Sequence, residues 1–114
     1  MKKYVIAEQF TELPGGRYIK DGEFSGEEFR EKVLREIIDE CLKNKEKLEI
    51  DFDGAYGYPP SFLEEAFGGL TREEIFTEEE LKNTLELISK DEPSLVSKVF
   101  SYIKDGEKMK KRGK

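Results

Sequence analysis

Two aspartates at the end of a predicted strand have the type and spacing best suited to chemistry. Apolar and charged residues alternate from Leu48 to Phe52, and the turn pair Asp53-Gly54 follows. Alternation predicts a strand, on which side chains two residues apart project to the same side. Asp51 and Asp53 could therefore act together with magnesium in a small phosphohydrolase or nucleotide-binding protein. The alternative is that Asp53-Gly54 only ends the strand and forms a turn.

A serine at a predicted helix start is the second candidate. Pro59-Pro60 precedes the segment Ser61 to Phe67, and Gly68-Gly69 ends it. This punctuation predicts a helix with Ser61 at its N-cap or first turn, where unpaired amides and a partial positive charge accommodate phosphate. Ser61 is then either a modification site or a plain cap. The acidic residues nearby would repel an added phosphate.

The segment Pro14-Gly15-Gly16-Arg17 could bind an anion. Glycines allow close approach to the backbone, and a guanidinium makes paired hydrogen bonds to phosphate. A tight turn in which Arg17 forms a salt bridge with an acidic neighbour is the other interpretation. Gly15, Gly16 and Arg17 are the candidate anion-binding residues.

Composition excludes much other chemistry. The 114 residues include no His and one Cys, so they cannot form a histidine base, a disulfide or a cysteine cluster, and we predict no catalytic residues, metal or cofactor. Cys41 falls in the apolar stripe of a helix and is expected to be a buried hydrophobe. The net charge of −6 argues against nucleic-acid binding. The chain has no apolar run of membrane-spanning length, and its first residues become acidic too early for a signal peptide. Both features predict a cytoplasmic protein without membrane contact.

The charge is unevenly distributed along the chain. Residues 104–114 carry six basic and two acidic side chains, a net +4, which leaves −10 on residues 1–103. We expect a single acidic domain over residues 1–104 and a flexible basic tail over residues 105–114.

Strands and helices are predicted to alternate around these candidates. Tyr4 to Phe10 is typical of a strand, and Arg17 to Ile19 of a short second one. Ser25-Gly26-Glu27-Glu28 predicts a capping box that starts an amphipathic helix, with Glu28 reaching back to the cap. Thr77 starts a second capped helix, to about Lys82, before a strand over 85–88, although one helix over 77–89 also fits. Asp91-Glu92-Pro93 opens a final helix.

Several segments together resemble the STAS-like family of uncharacterised prokaryotic domains, which are relatives of anti-sigma-factor antagonists. They are GGRYIKDGEFSGEEFRE and LEIDFDGAYGYPPSFLEEAFGGL, and the likeness covers most of residues 10 to 104. The resemblance implies a STAS-like α/β domain with a small mixed β-sheet of about four strands and helices packed mainly on one face. It also implies that Ser61 occupies the position phosphorylated in antagonists, although Pro59-Pro60 stands where those proteins carry an acidic or small residue.

The same resemblance implies a regulatory, non-catalytic module whose partner is a GHKL-type ATPase or kinase. The predicted contact region runs from Asp53 to Gly69. Its candidate interface residues are Asp53, Tyr56, Tyr58, Phe62, Glu64, Glu65, Gly68 and Gly69. Phe62 and Phe67 are expected to pack in the core, whereas Tyr56 and Tyr58, in a Gly/Pro-rich loop, are expected to be exposed. The chain is expected to be a monomer or a homodimer, and a homodimer that binds a small anion is a third hypothesis.

Overall fold

The predicted alternation of strands and helices is present in a computed structural model that describes residues 1–112. The elements are β1 Lys2–Val5, α1 Ile6–Gln9, a 3₁₀ turn Ile19–Asp21, α2 Gly26–Phe29, a first π segment Arg30–Leu34, α3 Arg35–Lys43, β2 Leu48–Asp51, α4 Pro60–Leu63, a second π segment Glu64–Gly68, α5 Gly69–Arg72, α6 Glu78–Thr84, β3 Leu85–Ile88 and α7 Ser94–Arg112.

The sheet has three strands in the described residues, all parallel, in the order β1-β2-β3. Tyr4 lies beside Ile50, and Ile50 lies beside Leu87. The expectation of a mixed sheet of about four strands is therefore wrong. The predicted strand at Arg17 to Ile19 is replaced by the 3₁₀ turn, in which Asp21 accepts a hydrogen bond from the Tyr18 amide at 3.2 Å.

The first strand is shorter than predicted because a side chain ends it. The Gln9 carboxamide accepts a hydrogen bond from the Val5 amide at 2.8 Å, and the chain turns into α1 at Ile6. Phe10, at the end of α1, therefore lies outside the sheet and packs on Phe29, with 4.8 Å between ring centroids. Phe29 also contacts Phe62 and belongs to an aromatic cluster in the core.

Leu48 and Ile50 in β2 are buried, whereas Glu49 and Asp51 are half-buried. This alternation is typical of a sheet packed against helices on one face. Two helical stretches, 26–43 and 60–72, contribute to that layer, and each widens into a π segment after its first turn.

The predicted helix starts are present, with one difference. The Ser25 hydroxyl accepts from the Glu28 amide at 3.0 Å, but Glu28 accepts from the Phe24 amide rather than from Ser25. Thr77 and Glu80 form the complete capping box, and β3 follows α6 directly. The single helix over 77–89 is therefore excluded.

The last helix continues past residue 104 to Arg112. Gly106 and Glu107 are buried in it, so the secondary structure does not change at the expected boundary between domain and tail. Gly113 and Lys114, the last residues of the predicted tail, lie outside the described residues. None of the helices in residues 1–112 combines the length and apolar character needed to cross a membrane.

Candidate functional site

The loop after β2 is fixed at its base by aspartates that accept backbone hydrogen bonds. Asp51 Oδ1 accepts from the Asp53 amide at 2.9 Å. The Asp53 carboxylate accepts from the Lys90 amide at 2.8 and 3.0 Å and from the Asp91 amide at 2.9 Å. Asp91 in turn accepts from the Gly54 amide at 3.2 Å, where φ is +94°. These bonds join the loops that follow β2 and β3.

The same bonds determine what the two aspartates can do. Hydrogen bonds from the amides of Asp91 and Lys90 hold the pKa of Asp53 below its ordinary value, so this carboxylate is ionised and already bonded. Both aspartates accept hydrogen bonds within the loop structure, and for Asp53 this agrees with the turn interpretation. The described residues contain no group of three or more Asp, Glu, Cys or His side chains placed to hold a metal ion.

The two tyrosines of the loop differ in exposure. Tyr56 is 82% exposed, and its amide donates to the Glu12 carbonyl at 2.9 Å, beside the exposed Leu13. Tyr58 is half-buried, and its hydroxyl donates to the Phe52 carbonyl at 2.9 Å. Burial, followed by the nearby carboxylates, raises the pKa of Tyr58. Tyr56 is exposed as expected, whereas Tyr58 fastens the loop to the core.

Ser61 is the second residue of α4 and is half-buried. Pro59 occupies the N-cap position, and its carbonyl accepts from the Phe62 amide at 3.0 Å and from the Leu63 amide at 3.2 Å. Ser61 is therefore in the first turn rather than the cap. The Phe62 and Leu63 amides, which were expected to be available to a phosphate, are therefore already hydrogen-bonded. Pro59 and Pro60 have no amide hydrogen to donate.

Much of the predicted contact region lies in the interior. Phe62, Glu65, Gly68 and Gly69 are buried, while Glu64 and Asp53 are half-buried. A Cβ on Gly68 would lie 3.1 Å from the carbonyl oxygen of Tyr102 in α7. The exposed part of the region is consequently the loop and the start of α4.

The Gly-Gly-Arg segment packs against the loop before α2. Gly15 donates to the Phe24 carbonyl at 2.8 Å, and a Cβ on Gly15 would lie 2.3 Å from the Glu23 carbonyl oxygen. The Arg17 guanidinium pairs with Glu64 and lies 3.3 Å from Glu65. Arg17 thus makes the salt bridges of the alternative interpretation, and Gly15 allows the close packing against Glu23.

A buried network of ion pairs lies beside Arg17 and was not predicted from the sequence. Arg30 Nη1 donates to Glu65 Oε2 at 2.5 Å and to the Glu65 carbonyl at 2.7 Å. Arg72 Nη2 lies 3.0 Å from Glu65 Oε1, and Arg72 also pairs with Glu64. Arg72 follows Glu65 by seven residues and Glu64 by eight. This spacing places the three side chains on one helix face, and it is the sequence pattern that could have predicted the pairs. Arg30 gave no signal because it lies among the polar positions of its helix.

The network keeps its central carboxylate charged despite burial. Burial alone would raise the pKa of Glu65, but the hydrogen bond from Arg30 and the charges of Arg72 and Arg30 lower it below the ordinary value. Burial alone would lower the pKa of Arg30, but its hydrogen bonds to Glu65 and Glu31 raise the pKa above the ordinary value. The ion pairs of this network therefore connect the Gly-Gly-Arg loop with both helical stretches.

Comparison with known proteins identifies one family. A family described as a STAS-like domain of unknown function (DUF4325) matches residues 25–95, or 71 of the 114 residues. This range contains β2, β3, the loop between β2 and α4, and both π segments. No curated protein and no solved structure matches the chain.

Proposed function

The chain belongs to this STAS-like family, and we propose that it is a non-catalytic regulatory module that binds a GHKL-type ATPase or kinase. The partner class follows from the resemblance of the sequence to anti-sigma-factor antagonists. The contact surface would be the exposed part of the Asp53 to Gly69 region, with Ser61 as the regulated residue.

The exposure of Tyr56 is the observation that carries this proposal. A tyrosine ring that is 82% exposed, in a loop whose backbone is fixed on two sides, can act as an interface anchor with little loss of freedom. The amide of Tyr56 is bonded to Glu12, and Tyr58, two residues later, is bonded to Phe52. The loop therefore presents Tyr56 from a fixed position.

Regulation at Ser61 would act through charge. Asp51, Asp53 and Asp91 all raise the pKa of Tyr58, so the loop before Ser61 has a negative potential. A phosphate on Ser61 would add about two negative charges to it at neutral pH. Because Pro59 already holds two amides of the first turn, the expected effect is repulsion or loop displacement, rather than capture of the phosphate by the helix.

Native mass spectrometry with individually purified GHKL-type ATPases from the source organism tests the proposal. We expect a complex with the unmodified chain and with Ser61→Ala, and its loss with Ser61→Asp. Ser97→Asp, at an exposed serine of α7, is the matched control and should still bind. The absence of any complex would contradict the partner class, and equal binding by both Ser61 variants would contradict the switch.

A further inference from the structure

One face of the sheet is open to solvent. Side chains alternate between the two faces of a strand, and the parallel register aligns them across strands. The open sheet face therefore consists of two rows of side chains, Lys3, Glu49 and Glu86, then Val5, Asp51 and Ile88. Each of the six is half-buried or exposed. On the opposite face Tyr4 and Ile50 are buried, and the centre of the Tyr4 ring lies 5.9 Å from that of Phe29 in the helical layer.

A parallel sheet with an open face lacks one of its usual layers. The strands of parallel sheets are buried on both faces in most proteins, because helices pack on each side. Val5 and Ile88 are apolar and only half-buried, so a covering element would remove further apolar surface from water. The topology of this sheet therefore favours a helix as its second cover.

The charges on the open sheet face select the kind of helix. The face carries three acidic side chains and one basic side chain, a net −2. Glu49 and Glu86 are direct neighbours across β2 and β3, and like charges in this arrangement repel each other. Neither these glutamates nor Lys3 forms an ion pair with any described residue. A lysine or arginine from a partner would remove the repulsion, so the face is complementary to a basic helix.

The spacing of the two rows also matches a helix. Residues two apart on a parallel strand are separated by about 6.6 Å along it. Residues four apart on a helix are separated by about 6 Å along its axis. A helix lying along β3 can therefore place a basic side chain over Glu49 and Glu86, and an apolar side chain four residues away over Ile88.

We propose that the open sheet face binds a basic amphipathic helix of a partner protein. The apolar stripe of that helix would cover Val5 and Ile88, and its lysine or arginine side chains would pair with the two glutamates. Nucleic acid would be repelled by the same glutamates. This surface includes neither Tyr56 nor Ser61, and the proposal goes beyond the proposed function.

Amide NMR spectra of the isotope-labelled full chain, titrated with a synthetic helix, test the proposal. The probe is an amphipathic peptide of leucine and lysine, about 15 residues long so that it can form a helix. We expect shift changes centred on Lys3, Glu49 and Glu86 that weaken as the salt concentration rises. The same peptide with glutamate in place of each lysine should cause none. Shift changes centred elsewhere, or none up to about 1 mM peptide, would overturn the proposal.

Charge reversal separates binding at this face from general attraction to an acidic chain. Glu86→Lys should weaken peptide binding by about tenfold or more. Its thermal midpoint should not fall, because the substitution gives Glu49 an oppositely charged neighbour. Asp105→Lys is the matched control, since it makes the same change in net charge at an exposed position of α7. That helix packs on the helical layer, where Thr71 Oγ1 donates to the Ile103 carbonyl at 2.8 Å.

Two further outcomes would overturn the proposal. One is equal weakening of peptide binding by Glu86→Lys and Asp105→Lys. The other is equal binding of a scrambled peptide whose leucines no longer lie on one face, because charge alone would then explain the contact. The probe is not an ATPase, so either failure would leave the proposed function unaffected.

Discussion

Arg30 Nη1 and Glu65 Oε2 lie 2.5 Å apart and join two helical stretches within their π segments. Both side chains are less than a tenth exposed, and the same guanidinium nitrogen also donates to the Glu65 carbonyl. A Cβ on Gly69 would lie 2.4 Å from Arg30 Nη1, so glycine is what leaves room for the pair. π segments concentrate at functional sites, and here one of them follows directly from the helix start that contains Ser61.

Removing Arg30 should strongly destabilise the fold. Arg30→Ala leaves the Glu65 carboxylate buried without its closest partner, which costs about 3 to 5 kcal/mol. Arg35→Ala is the control, because Arg35 also pairs with Glu31 but is 53% exposed, and its loss should cost about 0.5 kcal/mol or less. Urea unfolding followed by circular dichroism measures both. Equal effects of the two substitutions would contradict a structural role for the buried pair.

The same pair predicts how stability depends on acidity. The folded pKa of Glu65 lies below its ordinary value of 4.5, so its contribution is complete above that pH and decreases as the pH falls through the folded pKa. Glu65→Gln should destabilise the protein at neutral pH and reduce this acid dependence. Thermal unfolding measured from pH 7 down to pH 3 gives the comparison, and an unchanged slope in the variant would exclude Glu65 as a source of it.

Local signals were sufficient to predict the capped helix starts, whereas the last strand was preferred over a continuous helix because it keeps strands and helices alternating. Ser25 and Thr77 cap their helices through residues three positions away, and Leu85–Ile88 pairs as a strand. The two caps depend on residues close in sequence, where pattern and chemistry agree. The Asp53 turn and the salt bridges of Arg17 were also among the stated alternatives.

Other features could not be predicted in this way, because they depend either on distant residues or on the direction of one local carbonyl or side chain. The burial of Arg30 depends on Glu65 and Gly69, more than thirty residues away. The first-turn amides of the helix that contains Ser61 were expected to be free for a phosphate, but the Pro59 carbonyl accepts their hydrogen bonds. The direction of this carbonyl cannot be predicted from composition. The first strand ends early because the Gln9 side chain competes for the Val5 amide.

Gly106 provides a test of how the end of α7 packs. A Cβ at this position would lie 2.3 Å from Thr71 Oγ1 and 2.4 Å from the Gly68 carbonyl oxygen. Although alanine favours helices, the clash should make Gly106→Ala destabilising by about 1 to 3 kcal/mol. In Gly16→Ala, the control, the nearest atom to the added Cβ is 3.8 Å away, and stability should change little. If Gly106→Ala were stabilising, residues beyond 104 would not pack as described.

Tyr58 should link loop stability to alkaline pH. Burial raises its pKa above the ordinary value of 10, so the unfolded chain ionises first and stability should decrease as the pH rises above about 10. Tyr58→Phe removes the bond to the Phe52 carbonyl, costs about 1 kcal/mol at neutral pH and weakens this alkaline dependence. Chemical unfolding at pH 7 and pH 11 would reveal it. Tyr102→Phe, at a half-buried tyrosine of α7, is the control and should keep the dependence.

Titration calorimetry with the GHKL-type ATPase that forms the complex tests the central claim most directly. Tyr56→Ala should weaken binding by about tenfold or more, because the ring is the exposed anchor of the fixed loop. Tyr18→Ala, at an exposed tyrosine outside the loop, is the control and should bind as the unmodified chain does. Loss of binding with Tyr18→Ala and full binding with Tyr56→Ala would contradict the claim that the loop between β2 and α4 contacts the partner.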